Sequence, residues 1–351
     1  MPTYAYPTRS KTLDTATVAT LEDQLNEVDI PQGYRNALLT QLLFRKESPG
    51  LTMQGNDLRL PQTAMQRKTM GGTRAEAFVN FESGVTATEF SGLEQLNTSI
   101  ADGPTVTYTD YSYYSAFVAI SGIQKIENTG RMKRLDILRA SQNQEIRGLI
   151  RRMEGHLHGT NTDSVKGSQK QFAGIRHKIK LDPTTSTVVQ GLNQSTFTPW
   201  RNQYTTSVGS FAAGGLDAMR AMYFSIAGVN NYEPADLIFN NSTIAGYLVK
   251  ALEGIHRIVG SLKGSDLSSS KLPTFMDIPI IHTDDAASQT QIWMTTSYFQ
   301  NIIHEGADWS ETIPGEPNDQ WVKDQKRYVF GAAPLMCLRR EKQGIMGGIT
   351  A

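Results

Sequence analysis

The residues that could do chemistry are few and scattered. Glu253 and His256 form an E-x-x-H pair, the pattern by which one helix of a di-iron bundle supplies two ligands. Such a site needs a second pair from another helix, and the chain contains none. His156 and His158 stand two apart on a predicted helix, so their side chains diverge by roughly 200° and do not share an ion. Asp284-Asp285, after a predicted strand, and Glu94 near Asn97 could pair carboxylates for acid–base work, but solvation of loop tips accounts for both. Cys337 is the single cysteine; among Leu335, Met336 and Leu338 it reads as a small buried hydrophobe. Phosphate-loop, serine-elbow and zinc-helix signatures are all absent. The expectation is therefore no catalytic residue, no metal ligand and no cofactor.

Without a catalytic constellation, the elements themselves must explain the chain. Its 351 residues, 39% hydrophobic and 19% charged, belong to a folded protein and not to a disordered one. Thirty-four basic and thirty-four acidic side chains cancel, so the electrostatic footprint of a dedicated duplex binder is missing. No apolar run approaches the ~20 residues of a membrane span. With Asp14, Glu22, Asp23, Glu27 and Asp29 and no apolar run among the first thirty residues, no signal or transit peptide is expected there. One cysteine excludes an internal disulfide framework.

Along the chain, Met1 to Lys68 reads as an arm of two short amphipathic helices, broken at Pro31, Gly33 and Pro49-Gly50. Little periodicity is visible between Leu51 and Met70. From Gly71 to Gly122 the texture becomes period two: Ala77, Val79 and Phe81 alternate with their neighbours, as do Val106 and Tyr108 among threonines. This predicts a long two-stranded excursion with a loose tip, and a lone hairpin must dock on something. Leu135, Leu138, Gln142, Ile146, Leu149, Met153 and Leu157 then form one stripe, a helix ~40 Å long over about 130–158. Gly148 and Gly155 within it are expected to mark close packing or a bend. Ile175, His177, Ile179 and Leu181 read as a strand. After Trp200-Arg201-Asn202 the order becomes α/β. Helices are predicted at Leu216–Gly228 and Ser242–Val259, and strands at Asp236–Phe239, Ile278–His282, Ile292–Thr296 and within Trp321–Arg340.

This order of elements, together with Gly191-Leu192-Asn193-Gln194-Ser195-Thr196 before Trp200-Arg201-Asn202, Pro234–Phe239 before a helix, and Phe275–Ile280 before Asp284, resembles the major capsid proteins of tailed bacteriophages. The resemblance implies an α+β chain with the Hong Kong 97 type capsid fold. It divides the sequence into an N-terminal arm (1–68), an extended loop (69–125), a peripheral domain with the spine helix (126–202 and 319–351) and an axial domain (203–318). It also implies pentamers and hexamers of the chain itself in a virion capsid assembled in the bacterial host cytoplasm. A separate scaffolding protein, a portal protein, a decoration or cement protein and weakly held double-stranded DNA are the implied partners, with no membrane. Arg9, Lys11, Arg45 and Lys46 are the expected DNA contacts. An encapsulin-like compartment, an α/β enzyme and a tail-tube component are the competing readings.

Charge is unevenly spread. Between Thr69 and Gln124 the only basic residue is Arg74, against Glu76, Glu82, Glu89, Glu94, Asp102 and Asp110. The predicted spine helix carries Arg131, Lys133, Arg134, Arg139, Arg147, Arg151 and Arg152. Acids of the excursion are expected to meet the basic helix of an adjacent copy, setting register more than strength. Capsids of this type that weld their subunits use a lysine of the extended loop. From Thr69 to Gln124 there is no lysine, so no isopeptide cross-link of that kind is expected.

Overall fold

In a computed structural model, residues 51–53, 56–58, 66–80, 104–121, 145, 147–164, 170–229, 232–259, 274–308, 310–312 and 322–351 are described. The N-terminal region contributes a small hairpin, β1 (Leu51–Met53) with β2 (Asn56–Leu58), and then β3 (Gln66–Met70). Next come β4 (Arg74–Val79), β5 (Thr105–Asp110) and β6 (Ser112–Ser121). A helix over 147–157, α1, and a single turn, α2 (Ile175–Lys178), lead to a tight hairpin of β7 (Val188–Val189) and β8 (Leu192–Asn193). The α/β half follows: β9 (Gln203–Thr205), β10 (Gly209–Ser210), α3 (Phe211–Gly228), β11 (Leu237–Asn240), α4 (Ser242–Val259), β12 (Thr274–Phe275), β13 (Ile278–His282) and β14 (Gln291–Met294). The chain ends with β15 (Phe299–His304), β16 (Ser310–Thr312), β17 (Val322–Cys337), β18 (Gly344–Met346) and β19 (Ile349–Thr350).

Two sheets organise these elements. The first has the order β16-β17-β15-β3, with β6 also paired to β17 along Val322–Ala332. The second has the order β12-β13-β11-β14-β18-β9. On β11 and β14, Leu237, Phe239, Ile292 and Met294 face one core while Ile238 and Trp293 face another. The first core is shared by both sheets and by Leu149, Ile150, Met153 and Leu157 of α1. The second lies between the six-stranded sheet and α3 with α4. Because every β11 and β14 side chain is buried on one side or the other, these strands read as apolar runs and not as alternation.

Several elements match their expectations, and others differ for physical reasons. Helix α4 and strand β13 have the expected bounds, and α1 ends where Gly159 predicts. Residues 130–144 of the expected spine lie outside the described residues, as does most of the N-terminal arm. Helix α3 begins at Phe211, earlier than Leu216, because Gly215 leaves room for the Phe211 ring; a Cβ there would sit 2.4 Å from it. The strand expected around 175–181 is instead the turn of α2. His177 and Lys178 both reach Asp163, which neighbours on a helix can do and neighbours on a strand, pointing to opposite faces, cannot. Gly148 and Gly155 mark no close packing within the chain: among the described residues nothing lies within 4 Å of a Cβ built at either.

Strand β3 was not expected between Leu51 and Met70; it pairs in parallel with β15, a non-local partner that local pattern cannot reveal. The segment taken as one excursion also divides. Among the described residues strands β4 and β5 pair only with each other, whereas β6 pairs in-chain with β17. β15 and β16 belong with β17, and β18 with the second sheet, so the chain crosses between sheets at 295–298 and 338–343.

Candidate functional site: an outward ribbon and a basic helix face

The β4–β5 ribbon is anchored at its base. On its inner face Ala75 opposes Thr109 and Ala77 opposes Thr107, and Ala75 packs with Tyr111, Ile302, Ala333 and Met336. The backbone of β5 is tied to the body by Tyr108 N–H to the Gln190 carbonyl (3.1 Å) and Asp110 N–H to the Asp163 carbonyl (3.1 Å). Gln190 and Gly191 both have positive φ (51° and 81°), the geometry of a two-residue hairpin turn. Gly191 is doubly required, since a Cβ there would meet the Tyr108 ring at 2.4 Å.

Behind the ribbon lies a buried polar knot. The Asp163 carboxylate accepts from Lys178 Nζ, from His177 Nε2 (2.9 Å), from Thr109 Oγ1 (3.2 Å) and from Gln190 N–H (2.7 Å). Burial alone would raise the Asp163 carboxyl; the Lys178 ammonium and the His177 hydrogen bond outweigh it and hold the group well below the usual carboxylate range. Burial pulls Lys178 and His177 down in turn, opposed by Asp163. The knot thus joins β5, the β7–β8 turn and α2 through one ionised carboxylate.

A second buried cation fastens the C-terminal crossing. Arg340 donates through Nε to the Lys178 carbonyl (2.7 Å) and through Nη1 to the Trp200 carbonyl (2.8 Å). Its Nη2 donates to Gln194 Oε1 (2.8 Å) and Asn202 Oδ1 (3.1 Å). Its guanidinium lies 5.6 Å from the Trp200 ring, and burial lowers its pKa to about 10. Gln194, Trp200 and Asn202 of the 191–202 run therefore cage this side chain. On the other crossing, Asp236 accepts from Thr296 N–H (3.0 and 2.9 Å) and Oγ1 (2.6 Å), and burial lifts its carboxyl to about 6 against those bonds.

The outer face of the ribbon is a different surface. Arg74 is paired to Asp110 (2.9 Å) and stacked on Tyr108 (4.5 Å), and Glu76 is exposed. Beyond them Phe78 and Val106, directly opposed across the strands, are 73% and 41% exposed. An apolar cross-strand pair at the distal end of a two-stranded ribbon has no partner sheet in its own chain among the described residues. On α1, the face opposite the buried stripe carries Gly148, Arg151, Arg152 and Gly155, all exposed and spaced three and four apart. Two glycines beside two arginines make that face shallow and basic.

Of the residues expected at subunit contacts, Glu76, Arg151 and Arg152 are exposed and Arg147 is half-buried. No in-chain ion pair joins Glu76 to these arginines among the described residues. Glu82, Glu89, Glu94, Asp102, Arg131 and Arg134 lie outside the described residues. Arg151 also acts on Asp285, whose carboxyl is raised by burial and by Glu154. Glu154 itself is buried and bonded to His158 (3.0 Å), while His156 bonds the Tyr114 hydroxyl (2.6 Å), so the two histidines diverge as their spacing requires. Cys337 is buried, and that burial pushes its thiol up to about 12. Among the described residues no cluster of three or more histidine, cysteine or carboxylate side chains could hold a metal. No helix among them is long and apolar enough to cross a membrane. The buried Asp163 and Arg340 networks were not anticipated from sequence: Lys178 sits in the cation-rich run Arg176–Lys180 and Arg340 in the charged run Arg339–Lys342, where neither stands out as buried.

No protein-family model matches the chain, and no curated protein matches it in sequence. Solved structures match it in shape. The capsid of cyanophage A-1(L) aligns with a TM-score of 0.56 at 12% identity, covering 81% of this chain and 90% of that one. The capsid of Myoviridae phage XM1 aligns with a TM-score of 0.50 at 11% identity, over 82% of this chain and 90% of that one. The SrpI encapsulin of Synechococcus elongatus aligns less well, with a TM-score of 0.49 at 9% identity over 81% and 85%. The chain has the α+β Hong Kong 97 type capsid fold.

Proposed function

We propose that this chain is the major capsid subunit of a tailed bacteriophage and that its copies close into an icosahedral shell around double-stranded DNA. The observation that carries the reading is the outward apolar pair Phe78–Val106 on a ribbon whose anchors, among the described residues, lie toward its base. Laid across the shallow α1 face of a sister copy, the ribbon would bury that pair. Glu76 would then come near Arg147, Arg151 and Arg152 of the neighbour. Each such contact is individually weak, and closure of a symmetric shell makes the later ones effectively intramolecular. A neutral chain also suits a wall around DNA, since each neutralised phosphate would add affinity that hinders packaging and release. The scaffolding, portal and decoration partners belong to this same proposal, as do assembly in the host cytoplasm and a shell held without isopeptide bonds.

Electron microscopy of the purified protein tests it. Closed shells, filled with DNA when isolated from infected cells, are expected. Tubes or small soluble oligomers would overturn the reading, and shells enclosing an enzyme without DNA would replace it with a protein compartment.

A further inference from the structure

The core under α3 and α4 contains polar atoms that nothing among the described residues satisfies. Asn240 ends β11 and Gln291 begins β14, and both side chains are fully buried. The β11–β14 register pairs Leu237 with Met294, Ile238 with Trp293 and Phe239 with Ile292, so the next rung sets Asn240 opposite Gln291. Directly opposed residues of an antiparallel pair share a face. That face is the one of Ile238 and Trp293, which looks toward α3 and α4. Asn240 Nδ2 and Oδ1, Gln291 Nε2 and Oε1, and the Trp293 indole Nε1 all lack a hydrogen-bond partner. Five orphan atoms on one face are too many to leave unpaired, since each buried unsatisfied group costs a sizeable share of a domain's net stability.

We propose that an ordered internal water sits on this face of the sheet, bridging the side-chain amides of Asn240 and Gln291. The chemistry of the atoms selects the guest. The two amides offer both N–H donors and carbonyl acceptors, and neither is charged. A cation would leave the N–H groups unpaired and an anion would leave the carbonyls unpaired, whereas water donates and accepts at once. The Trp293 indole N–H, two residues along the strand from Gln291, is a further unpaired donor on the same face. The site is independent of any assembly and belongs to the single chain.

The test is a map of the wild-type protein, in a crystal or in an assembled particle, that resolves ordered water. A density peak within about 3 Å of an amide atom of both Asn240 and Gln291 is expected. Amides bonded to each other or to another side chain, or a dry gap between them, would overturn the proposal. A double-mutant cycle reads the same site in solution. Asn240→Leu and Gln291→Leu should each lower the melting temperature, and the double variant should lose less than the sum, because removing both partners leaves the water nothing to bridge. Additive losses would count against a shared water.

Discussion

Replacing both outward apolar residues of the ribbon, Phe78→Ser with Val106→Ser, should uncouple assembly from folding. Full burial of side chains of this size is worth about 1.5–3 kcal/mol each. Scaled by their exposure, 73% and 41%, Phe78 would contribute roughly 1–2 kcal/mol and Val106 roughly 0.6–1.2 kcal/mol when a sister copy covers them. Their loss weakens each ribbon contact by roughly 2–3 kcal/mol, or about 20- to 200-fold. The folded chain should hardly notice, because exposed substitutions usually change stability by about 0.5 kcal/mol or less. The assay is the critical concentration for particle formation by sedimentation velocity, under conditions where the wild-type chain assembles. Circular dichroism and melting of the unassembled protein serve as the fold control. A rise in critical concentration of at least an order of magnitude with an unchanged melt is expected. A variant that assembles at the wild-type concentration would refute the reasoning, because the ribbon's apolar pair would then be covered by nothing.

Reversing Arg147, Arg151 and Arg152 together to glutamate should abolish or misdirect assembly by setting acids against acids; normal particles under the microscope would contradict the pairing. Asp163→Asn should destabilise the unassembled chain by about 3–5 kcal/mol in urea, because it strands the Lys178 cation in the core. The pH profile carries a sign. Asp163 is held below its ordinary value in the folded state, so its contribution is present above about pH 4 and is lost as pH falls toward the folded value. The wild type should therefore lose its advantage over Asp163→Asn in acid, and a difference independent of pH would exclude that carboxylate as the cause. Boiling mature particles in detergent should give monomer bands, since residues 69–124 hold no lysine; a ladder of multimers would show a covalent weld.

The fold was legible where local pattern and tertiary environment agree. The α4 stripe and the buried Ile278–His282 run announce themselves because their periodicity, length and punctuation all point one way. The pairings of β3 with β15 and of β6 with β17 were not legible, since their partners lie more than 200 residues away in sequence. Without those partners, β6 reads as part of a free excursion and β3 as irregular chain. The α2 turn was misread because Ile175, Ile179 and their neighbours look period-two until Asp163 is brought against both His177 and Lys178. The candidate surface was half legible. Acidic bias in the excursion and basic bias in the helix are sequence facts. The outward pair Phe78–Val106 and the glycine-flanked arginines needed the register and the burial of the folded chain.

The central claim is that the ribbon finds its missing partner on another copy of the chain. A reconstruction of the assembled particle at side-chain resolution measures this directly. It should place Phe78 and Val106 in van der Waals contact with a neighbouring subunit, with Arg151 or Arg152 of that subunit beside the ribbon. A particle in which both residues face solvent, or fold back onto their own chain, would contradict it.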